Sequence, residues 1–99
     1  MQSFYPETFE RDMACTEAEW LMWLPNAVGA HPLETQAGAA RVALDGGELR
    51  MHWQAQAPRV IALVRLPRLA VRFEFMGVPE KIRLIFMKRF DLYMQRGGG

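Results

Sequence analysis

The chain has 99 residues, which is long enough for one hydrophobic core and too short for two. Hydrophobic residues make up 51% of it and charged residues 23%, a balance that excludes a disordered tail, a fibre and a disulfide scaffold. The formal net charge of +1 gives no general attraction to nucleic acid or to a membrane. We therefore expect residues 1–99 to form a single domain, in which residues 1–15 and 97–99 could be loosely ordered.

Charge is distributed unevenly between the two halves of the sequence. Residues 1–48 carry eight acidic and two basic side chains, whereas residues 49–99 carry three acidic and ten basic ones. Either the halves neutralise each other within one domain, or the second half presents a basic surface to an anion. The sequence leaves both interpretations open.

Cysteine usage and the N-terminal sequence indicate the compartment. Cys15 is the single cysteine, so the chain holds no internal disulfide, which fits a reducing environment. Glu7, Glu10 and Asp12 occupy the region where a signal peptide needs an apolar run. Since no stretch approaches ~18 uninterrupted apolar residues, we expect a cytoplasmic protein that does not enter a membrane.

A helix is predicted to begin at Thr16. The residues from Thr16 to Glu19 are typical of a capping box, in which these two side chains bond to each other's free amides. An apolar run follows, and Pro25 ends or kinks the helix, with room for one more turn beyond it. Residues 4–14 are ambiguous, because Pro6 could occupy the first turn of a short helix.

From Ala39 onward, apolar residues recur at every second position, which indicates β-strands. The Asp-Gly-Gly-Glu sequence at 45–48 is a strong hairpin signal, since glycine accepts the positive φ of a primed turn. Pro58 and Pro67 mark two further tight turns. Two-residue loops at 46–47, 57–58 and 67–68 would join four strands into an antiparallel meander.

This register separates the two faces of the predicted sheet. One face is apolar in every row and is expected to form the core: Ala40, Val42, Leu44, Leu49, Met51, Trp53, Ala55, Val60, Ala62, Val64, Leu66, Leu69, Val71, Phe73 and Phe75. The outer face combines basic side chains with two aliphatic ones. The interaction surface predicted on it comprises Arg41, Arg50, His52, Ile61, Leu63, Arg65 and Arg72.

A long amphipathic helix is predicted from Pro79 to Arg96. Pro79 suits a first helical turn and Gly97 a C-terminal cap, and apolar residues recur at helical spacing between them. A fifth strand over residues 81–87 is the competing interpretation. The predicted fold class is therefore α+β, a two-layer sandwich in which an N-terminal and a C-terminal helix cover one face of the sheet, in the order α-β-β-β-β-α.

The sequence offers little for catalysis or metal binding. Cys15, His31 and His52 lack the spacing of zinc ligands, and no phosphate-binding, dinucleotide-binding or serine-nucleophile motif is present. Cys15 precedes a helix, where the dipole would lower its pKa, but a small buried residue is the simpler interpretation. We therefore name no catalytic residue, metal or cofactor, and the sequence favours a non-enzymatic protein without deciding the question.

Three interpretations compete for the arginine-rich outer face. It is a solvated sheet surface, a protein interface with an aliphatic centre and an arginine rim, or a site for an anion or single-stranded nucleic acid. Nucleic acid is disfavoured because Trp53, Phe73 and Phe75 all lie on the core face, so that no aromatic platform faces outward.

Arg89 falls inside the apolar stripe of the C-terminal helix. A guanidinium there must find a partner or reach the edge of the helix. Either it forms a structural ion pair, for which Glu19 is a candidate, or it lines a cleft between the helices and the sheet and holds a carboxylate.

Three functional hypotheses follow, in order of preference. The first is a small non-enzymatic domain that forms a homo-oligomer or binds another protein through the arginine-rimmed outer face. The second is a binding or enzymatic domain for a small anionic ligand, with Arg89 in its cleft. The third is an anion or single-stranded nucleic-acid binder that uses the outer face.

Overall fold

The computed structural model describes residues 4–97, and the side chains of residues 4–95. Five strands form one antiparallel sheet in the spatial order β1-β5-β4-β3-β2. Two helices interrupt and follow the strands along the chain. The elements are β1 (Thr8–Met13), α1 (Glu17–Val28), β2 (Leu33–Gln36), β3 (Ala39–Leu44), β4 (Gly47–Ile61), β5 (Val64–Met76) and α2 (Glu80–Gly97).

The α+β class predicted from the sequence is confirmed, whereas the four-stranded meander is wrong in detail. Strands β1 and β2 are additional, and they lie at the two edges of the sheet. In β1, half-buried Phe9, Arg11 and Met13 alternate with exposed residues. This strand lies within residues 4–14, for which the sequence left a short helix open. Strand β2 has four residues and stands between Pro32 and Gly38, so that its composition resembles that of a loop.

The loops predicted at 57–58 and 67–68 are also wrong. Strands β4 and β5 form one long hairpin, which reverses at Ala62, a residue with a φ of 54°. The ladder shifts by one position between Gln56 and Arg59, and Pro58 and Pro67 both lie at this bulge. A bulge tolerates proline because the regular ladder is already interrupted there.

The first hairpin turn lies one residue earlier than predicted, at Asp45–Gly46. Val42 therefore pairs with Leu49 instead of Met51. A shift of two positions moves no side chain to the other face of the sheet, so the predicted separation of faces survives in β3 and in the paired part of β4.

Ten of the fifteen residues predicted for the core face are buried. They are Ala40, Val42, Leu44, Leu49, Met51, Trp53, Leu69, Val71, Phe73 and Phe75. The prediction is wrong for Ala55, Val60, Ala62, Val64 and Leu66, which are exposed. These five lie toward or beyond the bulge, where β4 and β5 run past the neighbouring strands.

Both helices cover the same face of the sheet. Trp20 of α1 contacts Trp53 edge-on, with ring centroids 5.6 Å apart, and Phe90 of α2 contacts Phe73 at 5.7 Å. Trp20 and Phe90 also contact each other, at 6.0 Å, so the aromatic rings join the helices to one another as well as to the sheet.

The helix ends agree with the sequence signals. The Thr16 hydroxyl accepts from the Glu19 amide at 3.1 Å, and the Glu19 carboxylate accepts from the Thr16 amide at 2.9 Å, which confirms the capping box. Helix α1 continues through Pro25 to Val28. The helix prediction for the C-terminal segment is confirmed over the competing strand.

The N-terminal segment is anchored to α2. Tyr5 is fully buried, and its hydroxyl donates to Asp91 at 2.5 Å. The buried Arg83 donates from Nε to the Tyr5 carbonyl at 2.8 Å and from Nη1 to the Val78 carbonyl at 2.7 Å. Residues 1–3 and 98–99, for which loose order was predicted, lie outside the described residues.

Candidate functional site

The end of the β4–β5 hairpin extends beyond the rest of the sheet. We call residues 57–68 the arm. Pairing of β1 with β5 ends at Met13↔Leu69, and pairing of β3 with β4 ends at Ala39↔His52. Within the described residues, no strand pairs with either outer edge of the arm. The arm is therefore a two-stranded ribbon whose edge amide and carbonyl groups are available.

The arm exposes five aliphatic side chains close together. Leu63 is 100% exposed at the reversal of the hairpin, and Val60, Ile61, Val64 and Leu66 are all exposed beside it. Single exposed hydrophobic residues are normal, but contiguous apolar surface on a small protein is typical of an interaction site.

Cross-strand pairing shows how these side chains are arranged. Ile61 pairs with Val64 and Arg59 with Leu66, so these four share one face of the arm. Leu66 and Arg72 are six positions apart along β5 and therefore point to the same side of the strand. The apolar face of the arm thus continues the outer face of the sheet.

The charges of the arm are all positive. Arg59, Arg65 and Arg68 lie in it, and residues 49–73 contain no aspartate or glutamate. At the base of the arm, Asp12 of β1 accepts from Arg68 Nε at 3.0 Å and lies 3.9 Å from Arg59 Nη2. This contact fixes the base, while the tip projects into solvent.

Four residues of the predicted surface lie together on the outer face of the sheet. Arg41 stands opposite Arg50, and His52 stands opposite Arg72. All four side chains are exposed. The outer face is therefore as rich in basic groups as the alternation of the sequence indicated.

Each of these arginines has a carboxylate beside it, which the sequence reasoning missed. Arg41 donates to Glu34 at 3.0 Å, Arg72 donates to Glu10 at 3.0 Å, and Arg50 donates to Glu48. The Glu34 carboxylate raises the pKa of Arg41 through this hydrogen bond and its charge. These carboxylates offset the repulsion among the three arginines that share the outer face. Exposed pairs of this kind add little stability.

A shallow groove of about 460 Å³ crosses this part of the outer face. Arg41, Arg50 and His52 supply its basic groups, and Glu34 supplies an acidic one. The remaining lining residues are Thr35, Gln36, Ala39 and Ala40. A groove with this lining can accept a small polar or anionic group.

Ile61, Leu63 and Arg65 do not join the four sheet residues as predicted. They lie on the arm, because residues 59–66 form the hairpin end instead of a third full strand. The sequence carried one signal for this arrangement. Residues 60–64 are five consecutive apolar residues, and such a run breaks the alternation expected for a strand with one buried face.

Arg89 lies on the surface, at the C-terminal end of α1. Its Nη2 donates to the Asn26 carbonyl at 3.3 Å, and its guanidinium packs so closely on Gly29 that a β-carbon there would lie 2.8 Å from it. The basic group inside the fold is Arg83, one turn and a half earlier in α2. The described partner of Arg89 is thus a helix end and not Glu19.

The remaining candidate groups have structural surroundings. Cys15 is buried, and burial together with the nearby charge of Glu19 raises the pKa of its thiol, which favours a buried structural residue over a nucleophile. His31 packs edge-on against Phe86. Within residues 4–97, no three histidine, cysteine, aspartate or glutamate side chains converge as metal ligands would.

The described part of the chain contains no helix with the length and hydrophobicity needed to cross a bilayer. Comparison of the chain with models of protein families, with curated proteins and with solved structures found no match. The arm and the outer face are therefore the features of the molecule that indicate its function.

Proposed function

We propose that the protein is a non-enzymatic interaction domain that self-associates through the arm and the adjoining outer face of the sheet. The observation that carries this proposal is the arm, with five exposed aliphatic side chains on a ribbon whose two edges are unpaired within the described chain. Self-association covers this surface without requiring a second gene product.

The energetics favour a covered arm. Removing a valine, leucine or isoleucine side chain from water contributes about 1.5–3 kcal/mol, so the five aliphatic residues supply a gross gain of several kcal/mol. Part of this gain offsets the loss of translational and rotational freedom on association. A two-stranded ribbon is marginally stable alone in water, so contact with a second surface would also stabilise the folded arm.

The outer face supplies the polar part of the same interface. Its arginines, held by neighbouring carboxylates, lie on the same side of the sheet as the apolar face of the arm, and Arg72 is six residues, about 20 Å, along β5 from Leu66. An apolar centre with a polar, arginine-rich rim is the usual composition of a specific protein interface. The rim contributes orientation and selectivity more than affinity.

Leu63→Asp tests the proposal. Since Leu63 is fully exposed, the substitution leaves the core intact, and we expect it to convert an oligomer into a monomer. Sedimentation velocity over a range of micromolar concentrations measures the change. The matched control is Ile85→Asp, which places the same charge at an exposed aliphatic position on α2.

Two outcomes contradict the proposal. One is a wild-type protein that remains monomeric at the highest concentration. The other is an oligomer that Ile85→Asp and Leu63→Asp disrupt equally, since the arm would then have no special role. Circular dichroism of both variants verifies that the fold is retained.

A second candidate function is anion binding in the groove on the outer face. The observation that favours it is the convergence of Arg41, Arg50 and His52 on one groove. Fluorescence titration with a single-stranded oligonucleotide and with a small dicarboxylate, both at 50 mM salt, tests the candidate. Binding that Arg50→Gln abolishes would support it, and a flat signal for both ligands would remove it.

A further inference from the structure

Helix α1 carries a second apolar side that the core does not use. Its inner side is buried through Trp20, Leu24, Ala27 and Val28. Its outer side exposes Ala18, Leu21, Met22 and Pro25, with Leu21 43% and Met22 66% exposed. The spacing i, i+3, i+4, i+7 places these four on one stripe, which we call the α1 stripe.

The charge of α1 is opposite to that of the arm. Residues 17–28 contain two glutamates and no basic residue, whereas the arm contains three arginines and no acidic residue. Helix α2 also exposes aliphatic side chains, Ile85 and Leu92, but Lys81, Lys88 and Arg89 stand at neighbouring positions of the helix. A basic arm is therefore complementary to α1 and not to α2.

The α1 stripe begins close to the base of the arm. Trp53 of β4, four residues before the arm, donates from Nε1 to the Glu17 carboxylate at 2.8 Å. A two-fold axis through this region would bring the base of each arm near the start of the α1 helix of the other copy.

We propose that the arm of one copy lies across the α1 stripe of a second copy, and that the contact is exchanged reciprocally. This inference rests on the proposed self-association and names the surface that receives the arm. The aliphatic side chains of the arm cover Leu21 and Met22, while Arg65, the arginine of the arm that does not face Asp12, lies near Glu17 and Glu19. Each copy contributes one arm and one α1 stripe, so the two reciprocal contacts of a dimer cover both arms and both stripes.

Introducing a charge of either sign at position 22 provides the first test. Met22→Lys places a cation opposite the basic arm, and we expect the dissociation constant to rise at least about tenfold. Met22→Glu introduces a charge of the opposite sign at the same exposed position, and we expect a clearly smaller rise. Equal effects of the two variants would overturn the inference, since a purely steric or structural role does not distinguish their signs.

Mixing variants provides the second test. Leu63→Asp retains the α1 stripe and loses the arm contact, whereas Met22→Lys retains the arm. Because each reciprocal pair has two contacts, we expect the mixture to form a heterodimer with one intact contact, which native mass spectrometry resolves. The control mixture of Leu63→Asp with Ile61→Asp has two defective arms and is expected to remain monomeric.

The outcomes separate this inference from the proposed function. If Leu63→Asp dissociates the oligomer while both Met22 variants leave it intact, self-association through the arm stands and the α1 stripe is excluded as its acceptor. If the wild-type protein is monomeric, both proposals fail. Circular dichroism of the Met22 variants shows whether α1 is retained.

Discussion

Two side chains from the N-terminal part of the chain, Tyr5 and Arg11, meet at Asp91 of α2. Arg11 donates to both Asp91 carboxylate oxygens, at 2.5 and 3.0 Å, and the Tyr5 hydroxyl donates to one of them. The Arg11 guanidinium also lies 5.4 Å from the centre of the Phe9 ring and 5.5 Å from that of Phe73. The cluster joins β1 to α2 and combines a bidentate ion pair with cation–π contacts, both of which strengthen when partly shielded from water.

The Tyr5 hydroxyl makes the stability of the fold depend on pH in the alkaline range. Burial, followed by the hydrogen bond and charge of Asp91, raises the pKa of Tyr5 to about 12 from its ordinary value of 10.0. The folded state therefore holds this proton more tightly than the unfolded state, and its contribution is complete below pH 10 and is lost as pH rises toward 12. We expect the free energy of unfolding in urea to fall more steeply between pH 9.5 and about 11 in the wild type than in Tyr5→Phe. Equal slopes would show that Tyr5 is not responsible.

At the scale of the elements, the turn between β3 and β4 is closed against the end of β5. A β-carbon on Gly47 would lie 1.8 Å from the Met76 carbonyl oxygen, which is far inside contact distance. We expect Gly47→Ala to lower the free energy of unfolding by about 2 kcal/mol or more, because the clash is with backbone. The control is Gly38→Ala, where the nearest atom is 3.5 Å away and the cost is confined to the strain of a φ of +69°. Urea unfolding of both variants measures the difference, and an equal cost would contradict the argument.

The sequence predicts those elements whose signals are local. The Thr16–Glu19 capping box locates α1, and strict alternation identifies the buried side chains of β3 and the first half of β4. Prolines misled the prediction because Pro58 and Pro67 are compatible with a turn and equally with a bulge. Whether these prolines lie in a turn or at a bulge depends on long-range strand pairing, which sets where β1 and β3 cease to pair with the hairpin.

The sequence predicts which basic residues share the outer face, but not their acidic partners or the position of the arm. Arg41, Arg50 and His52 share the outer face because a two-residue shift preserves alternation, and Arg72 joins them because β5 pairs directly with β4. Their carboxylate partners could not be foreseen, since Glu34 and Glu10 come from the two edge strands that the sequence did not reveal. The exposure of Ile61 and Leu63 has the same origin, because only the full sheet shows where the arm begins.

At the scale of the whole molecule, ion pairs join the acidic first half of the chain to its basic second half. Arg72 with Glu10, Arg68 with Asp12, and Arg11 with Asp91 all link β1 to the second half. Asp12 also faces Arg59 and Arg68 at the base of the arm, and the rest of the arm extends past this arrangement. The exposed Arg65 near the tip is therefore available to a second molecule.

The salt dependence of association follows from this charge pattern. If each arm lies across the acidic α1 helix of its partner, screening between 0.05 and 0.5 M NaCl weakens the attraction, and we expect the dissociation constant to rise several-fold. Sedimentation velocity at the two salt concentrations measures it. An arm that paired with another arm would bring arginines together, and added salt would then tighten association, which is the opposite sign.

The uninterrupted apolar run at the tip of the arm also carries a hazard. Residues 60–64 combine strong β-propensity with no charge, and Arg59 and Arg65 stand directly on either side of them. Such flanking charges, together with Pro58 and Pro67, act as gatekeepers against amyloid-like stacking of identical segments. The two prolines at the bulge and the two arginines beside the tip therefore oppose fibrous stacking of this exposed apolar segment.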